Sequence, residues 1–147
     1  MALKRLTLNL AKQIAVDGEG AKKFITIKVV SAKSISSAKK IAFSVASSPL
    51  IKTAVAGEDP NWGRVIMGVG KSGEKVDPDK IVIKFGDLVV AENGTISENY
   101  DETKVKEYMK WDSIFIEINL NQGNENFECY TCDFTHDYID INADYRS

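Results

Sequence analysis

The sequence predicts an α+β fold, a single domain in which a mixed or mainly antiparallel sheet is covered by helices. Three observations carry this expectation. Apolar residues recur at helical spacing in two segments, Leu3, Leu6, Leu10 and Ile14, and again Ile35, Ala38, Ile41, Ala42 and Val45. Ile114, Ile116, Ile118 and Leu120 alternate with Phe115, Glu117 and Asn119, the signature of a half-buried strand. Two apolar runs, Ile81 to Phe85 and Leu88 to Glu92, flank a short turn and read as a hairpin. Helices interleaved with strands and hairpins, without a regular alternation, point to the α+β class.

Taken in order, the first helix begins almost at the first residue, with Ala11 and Ala15 beside its leucines. A helix with neither a leading strand nor a cap reads as the continuation of a longer chain, and its apolar face is expected to lack a partner here. Asp17-Gly18-Glu19-Gly20 stops it, because paired glycines permit the positive φ that ends a helix. Phe24 to Val30 reads as a strand. Ser34 or Ser36 caps the second helix, which Ser48-Pro49 breaks. Leu50 to Ala56 reads as a short apolar connection, with a strand as one option. Trp62 to Val69 fits a helix or a strand on pattern alone, and Pro60 near its start favours a short helix. Asp77-Pro78-Asp79 opens the hairpin and Asn93-Gly94 follows it as a turn. Val105, Tyr108 and Met109 mark a third helix within 99–110. Asn121 to Asn126 joins the Ile114 strand to another over Phe127 to Phe134, and Tyr138 to Ser147 is expected to begin as a strand with Ile139 and Ile141.

At 147 residues the chain can bury a core as one domain. Apolar residues make up 44% and charged residues 27%, and the net charge of -2 carries no signal for nucleic acid or an anionic membrane, so neither partner is expected. The first ten residues mix Lys4, Arg5 and Asn9 into the leucines, which argues against a transmembrane span or a secretory signal and for a cytoplasmic address.

Several short patterns dissolve on inspection. Cys129 and Cys132 have redox or zinc spacing, yet on a strand residues three apart point to opposite faces, so structural cysteines are expected and no metal. Gly68-Val69-Gly70-Lys71-Ser72-Gly73 carries the glycines of a dinucleotide fingerprint, but it follows a helix and runs toward a hairpin, and Val65 stands where a phosphate loop needs glycine. Asn93-Gly94-Thr95, formally a glycosylation sequon, reads as a hairpin turn. His136 is the single histidine, and no nucleophile-elbow spacing surrounds a serine.

Three segments retain interest. Gly57 to Arg64 combines acid, amide, aromatic and base between glycines and a proline, which reads as an ordered loop where Arg64 pairs with Asp59 or Glu58 and Trp62 plugs the core. Glu19, between glycines, is either a carboxylate open to a substrate amino group or a helix-end acid in water. Ile141 to Ser147 places Asn142, the Asp144 and Arg146 pair, Tyr145 and Ser147 in a tail that reads as docked.

Together, Asp17-Gly18-Glu19-Gly20-Ala21, Ser48-Pro49-Leu50 with Lys52-Thr53-Ala54, Gly57 to Arg64, Cys132-Asp133 and Ile141 to Ser147 resemble the ornithine acetyltransferase (glutamate N-acetyltransferase) family of arginine biosynthesis. Order and spacing agree over nearly the whole chain, and the combination is specific although each motif alone is not. The resemblance implies that residues 1–147 are the carboxy-terminal domain of such an enzyme's β chain. That family cleaves itself before a threonine, which then carries acetyl from N2-acetylornithine, or in some members acetyl-CoA, to glutamate. The resemblance implies substrate-binding roles for Glu19, Asn142 and Ser147, no catalytic residue and no cofactor in this chain, and partners in an upstream nucleophile-bearing segment and an α chain. Alone, the chain is expected to be inactive. The alternative is a non-catalytic amino-acid-binding or assembly module derived from the family. Thr7, within the first helix, lacks the cleavage context, and Lys22 departs from the family's usual threonine, which bears on the Glu19 loop.

Overall fold

Alternation along two neighbouring strands builds the centre of the molecule. In the computed structural model, which describes residues 2–17 and 20–143, β1 (Phe24–Ala32) and β5 (Ser113–Asn119) run parallel with Ile25 opposite Ile114, Ile27 opposite Ile116 and Val29 opposite Ile118. All six side chains are buried on one face. Around this pair the other strands are antiparallel: β2 (Val82–Phe85) on β5, β3 (Leu88–Glu92) on β2, β4 (Thr95–Ile96) on β3, and β6 (Glu125–Cys132) on β1. The order β4-β3-β2-β5-β1-β6 is therefore a mixed sheet, as the α+β expectation requires.

The helices are α1 (Ala2–Val16), α2 (Ile35–Ala46), α3 (Pro49–Ala56), α4 (Trp62–Lys71), α5 (Glu102–Met109) and α6 (His136–Ala143). Ser34 caps α2, its side chain accepting from the Ser37 amide at 3.0 Å, which decides between the two candidate serines. Ala38, Ile41, Ala42 and Val45 of α2 are buried where that helix packs on β1 and β6, and α4 packs on α2. Val105 and Met109 of α5 close the same core beside Ile83, Phe85 and Leu120. The other face of the sheet is half exposed and carries a row of alternating charge, Lys84, Glu117, Lys28 and Glu128 on four successive strands, with Lys84 and Glu117 3.9 Å apart.

Helix α1 lies against the edge strand β6, and Lys12 stands 5.1 Å from the Tyr130 ring centroid. Its stripe of Leu3, Leu6, Leu10 and Ile14 is exposed, Leu3 by 78% and Ile14 by 75%.

Three expectations need correction. Leu50 to Ala56 is helical, not a strand: Pro49 occupies the first turn, and Ile51, Ala54 and Val55 bury at helical spacing that a run this short leaves ambiguous. The segment from His136 is α6 and not a strand. Two isoleucines do not establish a period of two, and Ile139 and Ile141, 60% and 48% exposed, join no sheet because β6 is its last strand. Arg64 pairs with neither Glu58 nor Asp59. Its Nη1 donates to the Leu50 carbonyl at 2.7 Å and lies 3.4 Å from Thr53 Oγ1, tying α4 to α3. Trp62 does pack against the core, partly buried.

Candidate functional site

The three residues implied as substrate contacts lie on two segments far apart in sequence, and of these the structure describes Asn142. The residues that follow Glu19 meet the start of the helix that bears Asn142. Gly20, with φ +68°, approaches the first turn of α6 so closely that a Cβ on it would lie 2.6 Å from the Tyr138 nitrogen. Thr135 Oγ1 donates to the Gly20 carbonyl at 2.5 Å, and Lys22 Nζ sits 3.2 Å from Asp137. Asn142 is on α6, exposed, with its Nδ2 donating to the Tyr138 carbonyl at 2.8 Å. Glu19 and Ser147, and the rest of the tail from residue 144, lie outside the described residues.

Beneath this junction two buried polar residues organise the backbone. Asp133, 2% exposed, follows β6, and its Oδ1 accepts from the Lys22 and Lys23 amides at 2.9 Å each, while its own amide donates to the Lys23 carbonyl at 3.2 Å. Lys23, 8% exposed, reaches the other way. Its Nζ donates to the carbonyls of Met109 and Trp111, both at 2.9 Å, neutralising the carbonyl end of α5, and lies 3.6 Å from Glu58. Glu58 belongs to the Gly57 to Arg64 loop, so that loop is tied to the start of β1. Cys132-Asp133 counts among the motifs of the resemblance, but nothing local in the sequence tells that Asp133, Lys23 or Thr135 makes these contacts, because their hydrogen-bond partners lie 86 to 115 positions away.

A cleft of about 540 Å³ opens between the end of α3 and the start of α6, lined by Lys22, Thr53, Gly57, Phe134, Asp137 and Tyr138 among others. Phe134 and Tyr138 stack at 5.0 Å between centroids, and Lys52 Nζ lies 4.0 Å over the Phe134 ring. Lys22 and Asp137, the charged pair of this lining, meet each other across otherwise mainly apolar walls.

The short cysteine, glycine and threonine patterns behave as their local context implies. Cys129 and Cys132 are free; Cys129 is buried opposite Ile27, whereas Cys132 lies opposite Phe24 on the other face. Burial, with Glu128 adding to it, pushes the Cys129 thiol up to about 12, far from a reactive thiolate. Among the described residues no group of three or more His, Cys, Asp or Glu is placed to hold a metal ion, and no helix is long and apolar enough to cross a membrane. Gly68 and Gly70 lie inside α4 and not on a strand-to-helix turn. Thr7 donates its hydroxyl to the Leu3 carbonyl within α1.

A family model matches the chain over residues 1–147. The chain belongs to the ArgJ family. Curated ArgJ relatives named as arginine biosynthesis bifunctional proteins include those of Ruegeria pomeroyi and Bradyrhizobium diazoefficiens, each 51% identical over 146 residues. Those alignments take in 99% of this chain and 36% and 35% of the relatives, so the chain spans about a third of their length. The crystal structure of the ArgJ protein from Bacillus halodurans superposes with a TM-score of 0.94 at 39% identity, over 98% of this chain and 68% of that one. The α+β architecture is thus the ArgJ fold over this stretch.

Proposed function

We propose that this chain is the carboxy-terminal domain of the β chain of a glutamate N-acetyltransferase in arginine biosynthesis, contributing substrate contacts to an active site whose nucleophile lies upstream. The observation that carries the reading is the docking of the Gly20 to Lys23 segment on the β6–α6 junction, which joins the stretch following Glu19 to the helix bearing Asn142. The exposed stripe of α1 and the length of the relatives support an upstream part as its partner.

In this reading the hydroxyl oxygen of an upstream amino-terminal threonine attacks the acetyl carbonyl of N2-acetylornithine. The free α-amine of that threonine takes the hydroxyl proton, and donors upstream hold the oxyanion. The amide C–N bond breaks, ornithine leaves with the proton, and an acetyl ester remains. Glutamate's amine then attacks the ester, its C–N bond forms as the C–O bond breaks, and the threonine recovers its proton. Acetyl-CoA would load the same ester by losing its thiol. Glu19 receives the amino group of the amino-acid part, while the Asn142 amide and the Ser147 hydroxyl hold its polar groups, so donor and acceptor occupy one orientation in turn. No cofactor enters, the enzyme works in the cytoplasm, and the chain alone is inert.

The test is acetyl transfer from N2-acetylornithine to glutamate, comparing this chain alone with the chain co-expressed with the nucleophile-bearing upstream part and α chain of a relative. Transfer is expected only in the assembled enzyme and should fall at least about tenfold on Glu19→Ala or Asn142→Ala. An assembled pair without activity would overturn the proposal and leave the non-catalytic amino-acid-binding or assembly module.

A further inference from the structure

Asp133 is the only buried carboxyl group among the described residues, and its arrangement is lopsided. Oδ1 accepts two backbone amides, from Lys22 and Lys23, and Oδ2 is buried with no hydrogen-bond partner among the described residues. With the residue's own amide donating to the Lys23 carbonyl at 3.2 Å, three backbone hydrogen bonds converge on it. Those bonds do not belong to the sheet ladder. They fix the segment just before β1 against the segment just after β6.

The residues beyond Asp133 extend the same seam. The Phe134 amide donates to the Lys52 carbonyl at 3.2 Å, the Thr135 hydroxyl to the Gly20 carbonyl, and Asp137 meets Lys22. The latter pair is half exposed on both sides, at 66% and 50%, and holds little by itself in water. Asp133 is the buried end of the seam, and both its carboxyl contacts fall within four residues of Glu19.

We infer that Asp133 is a positioning residue of the substrate site: by gripping the Lys22 and Lys23 amides it sets the Gly20 segment against α6, and so the spacing between the two groups of substrate contacts. It touches neither substrate nor nucleophile. The inference rests on the substrate-site reading under Proposed function, and it assigns Asp133 an effect on binding that a fold-stabilising residue would not have.

The experiment uses the assembled enzyme and measures KM for N2-acetylornithine and glutamate, kcat, and amide hydrogen exchange. Asp133→Ala should raise both KM values roughly tenfold while kcat changes by less than about threefold, since the nucleophile is elsewhere. Asp133→Asn, whose amide oxygen can still accept both N–H groups, should recover most of the loss. The Lys22 and Lys23 amides should exchange at least about tenfold faster in Asp133→Ala and not in Asn142→Ala. In the double variant Asp133→Ala with Asn142→Ala, the KM increases should combine to less than their product, because a contact already misplaced has less to lose. Unchanged exchange at Lys22 and Lys23 would overturn the grip itself. Faster exchange with unchanged KM, or KM effects that multiply in full, would reduce Asp133 to a structural role. If Glu19→Gln and Asn142→Ala leave KM untouched, the substrate-site reading fails and the positioning role falls with it, a result separable from the others because it appears in variants with Asp133 intact.

Discussion

Replacing Gly20 with alanine tests the docking of the Gly20 segment on α6 at the point of closest approach. Gly20 has φ +68°, where an L side chain costs about 1–2 kcal/mol, and the added Cβ would lie 2.6 Å from the Tyr138 nitrogen and 3.0 Å from the Asp137 carbonyl carbon. Those neighbours are backbone and cannot rotate away, so overpacking adds about 1–3 kcal/mol. Against this total of about 2–5 kcal/mol stand the Thr135 hydrogen bond, worth about 1 kcal/mol, and the half-exposed Lys22–Asp137 pair, worth about 0–1 kcal/mol. Adding about 0.5–1.5 kcal/mol for the Phe134–Tyr138 stack, the middle of the strain range still exceeds the contacts that hold the junction, and α6 is exposed along its length, so the cheaper relief is for α6 to leave the Gly20 segment while the core stays folded. Hydrogen exchange should show the α6 amides of Gly20→Ala losing protection, with those of β1 and β5 retaining it. Gly73→Ala is the control: φ is +76° there but no atom lies within 4 Å of the added Cβ, so it bears the conformational cost alone and leaves α6 untouched. Full protection of α6 in Gly20→Ala, with the whole cost appearing as lost global stability, would refute the reasoning.

Three further outcomes are expected. Phe85→Ala empties a site 1% exposed in the main core and should lower the unfolding free energy by about 3–5 kcal/mol in urea titration. Asn61→Ala removes the side-chain cap that accepts from the Arg64 amide at 3.1 Å, and about 1 kcal/mol of stability should go with it, measured the same way. The pH dependence has a definite sign: the Cys129 thiol is raised from 9.0 to about 12 in the folded chain, so between those values the unfolded chain has released a proton the folded chain still holds, and stability falls as pH rises. Tyr130, raised by burial and by its hydrogen bond to Glu128, acts in the same direction, so comparison with Cys129→Ala across pH 9–11 isolates the thiol, and an unchanged slope would contradict its burial.

Where a local period ran long enough, the sequence was sufficient. Seven residues of alternation named β5, five helix-spaced apolar residues named α2, and the paired runs around Gly86-Asp87 named the β2–β3 hairpin. Where the pattern was short it misled: the apolar run of α3 and the two isoleucines of α6 carry too few residues to separate a period of 2 from one of 3.6. Arg64 illustrates another limit. Its near acids in sequence were the plausible partners, yet the fold of α4 onto α3 offered the Leu50 carbonyl instead.

By itself, then, the sequence determined the α+β class, most of its elements, the opposed faces of Cys129 and Cys132, and the family, because these depend on residue order and on periodicities a few residues long. Only the tertiary structure decided the strand order, the seam between Gly20 to Lys23 and the start of α6, and the burial of Asp133 and Lys23. Those depend on which backbone donors and acceptors the folded sheet leaves unpaired and brings within 3 Å, and residues 110 positions apart leave no local trace of that meeting.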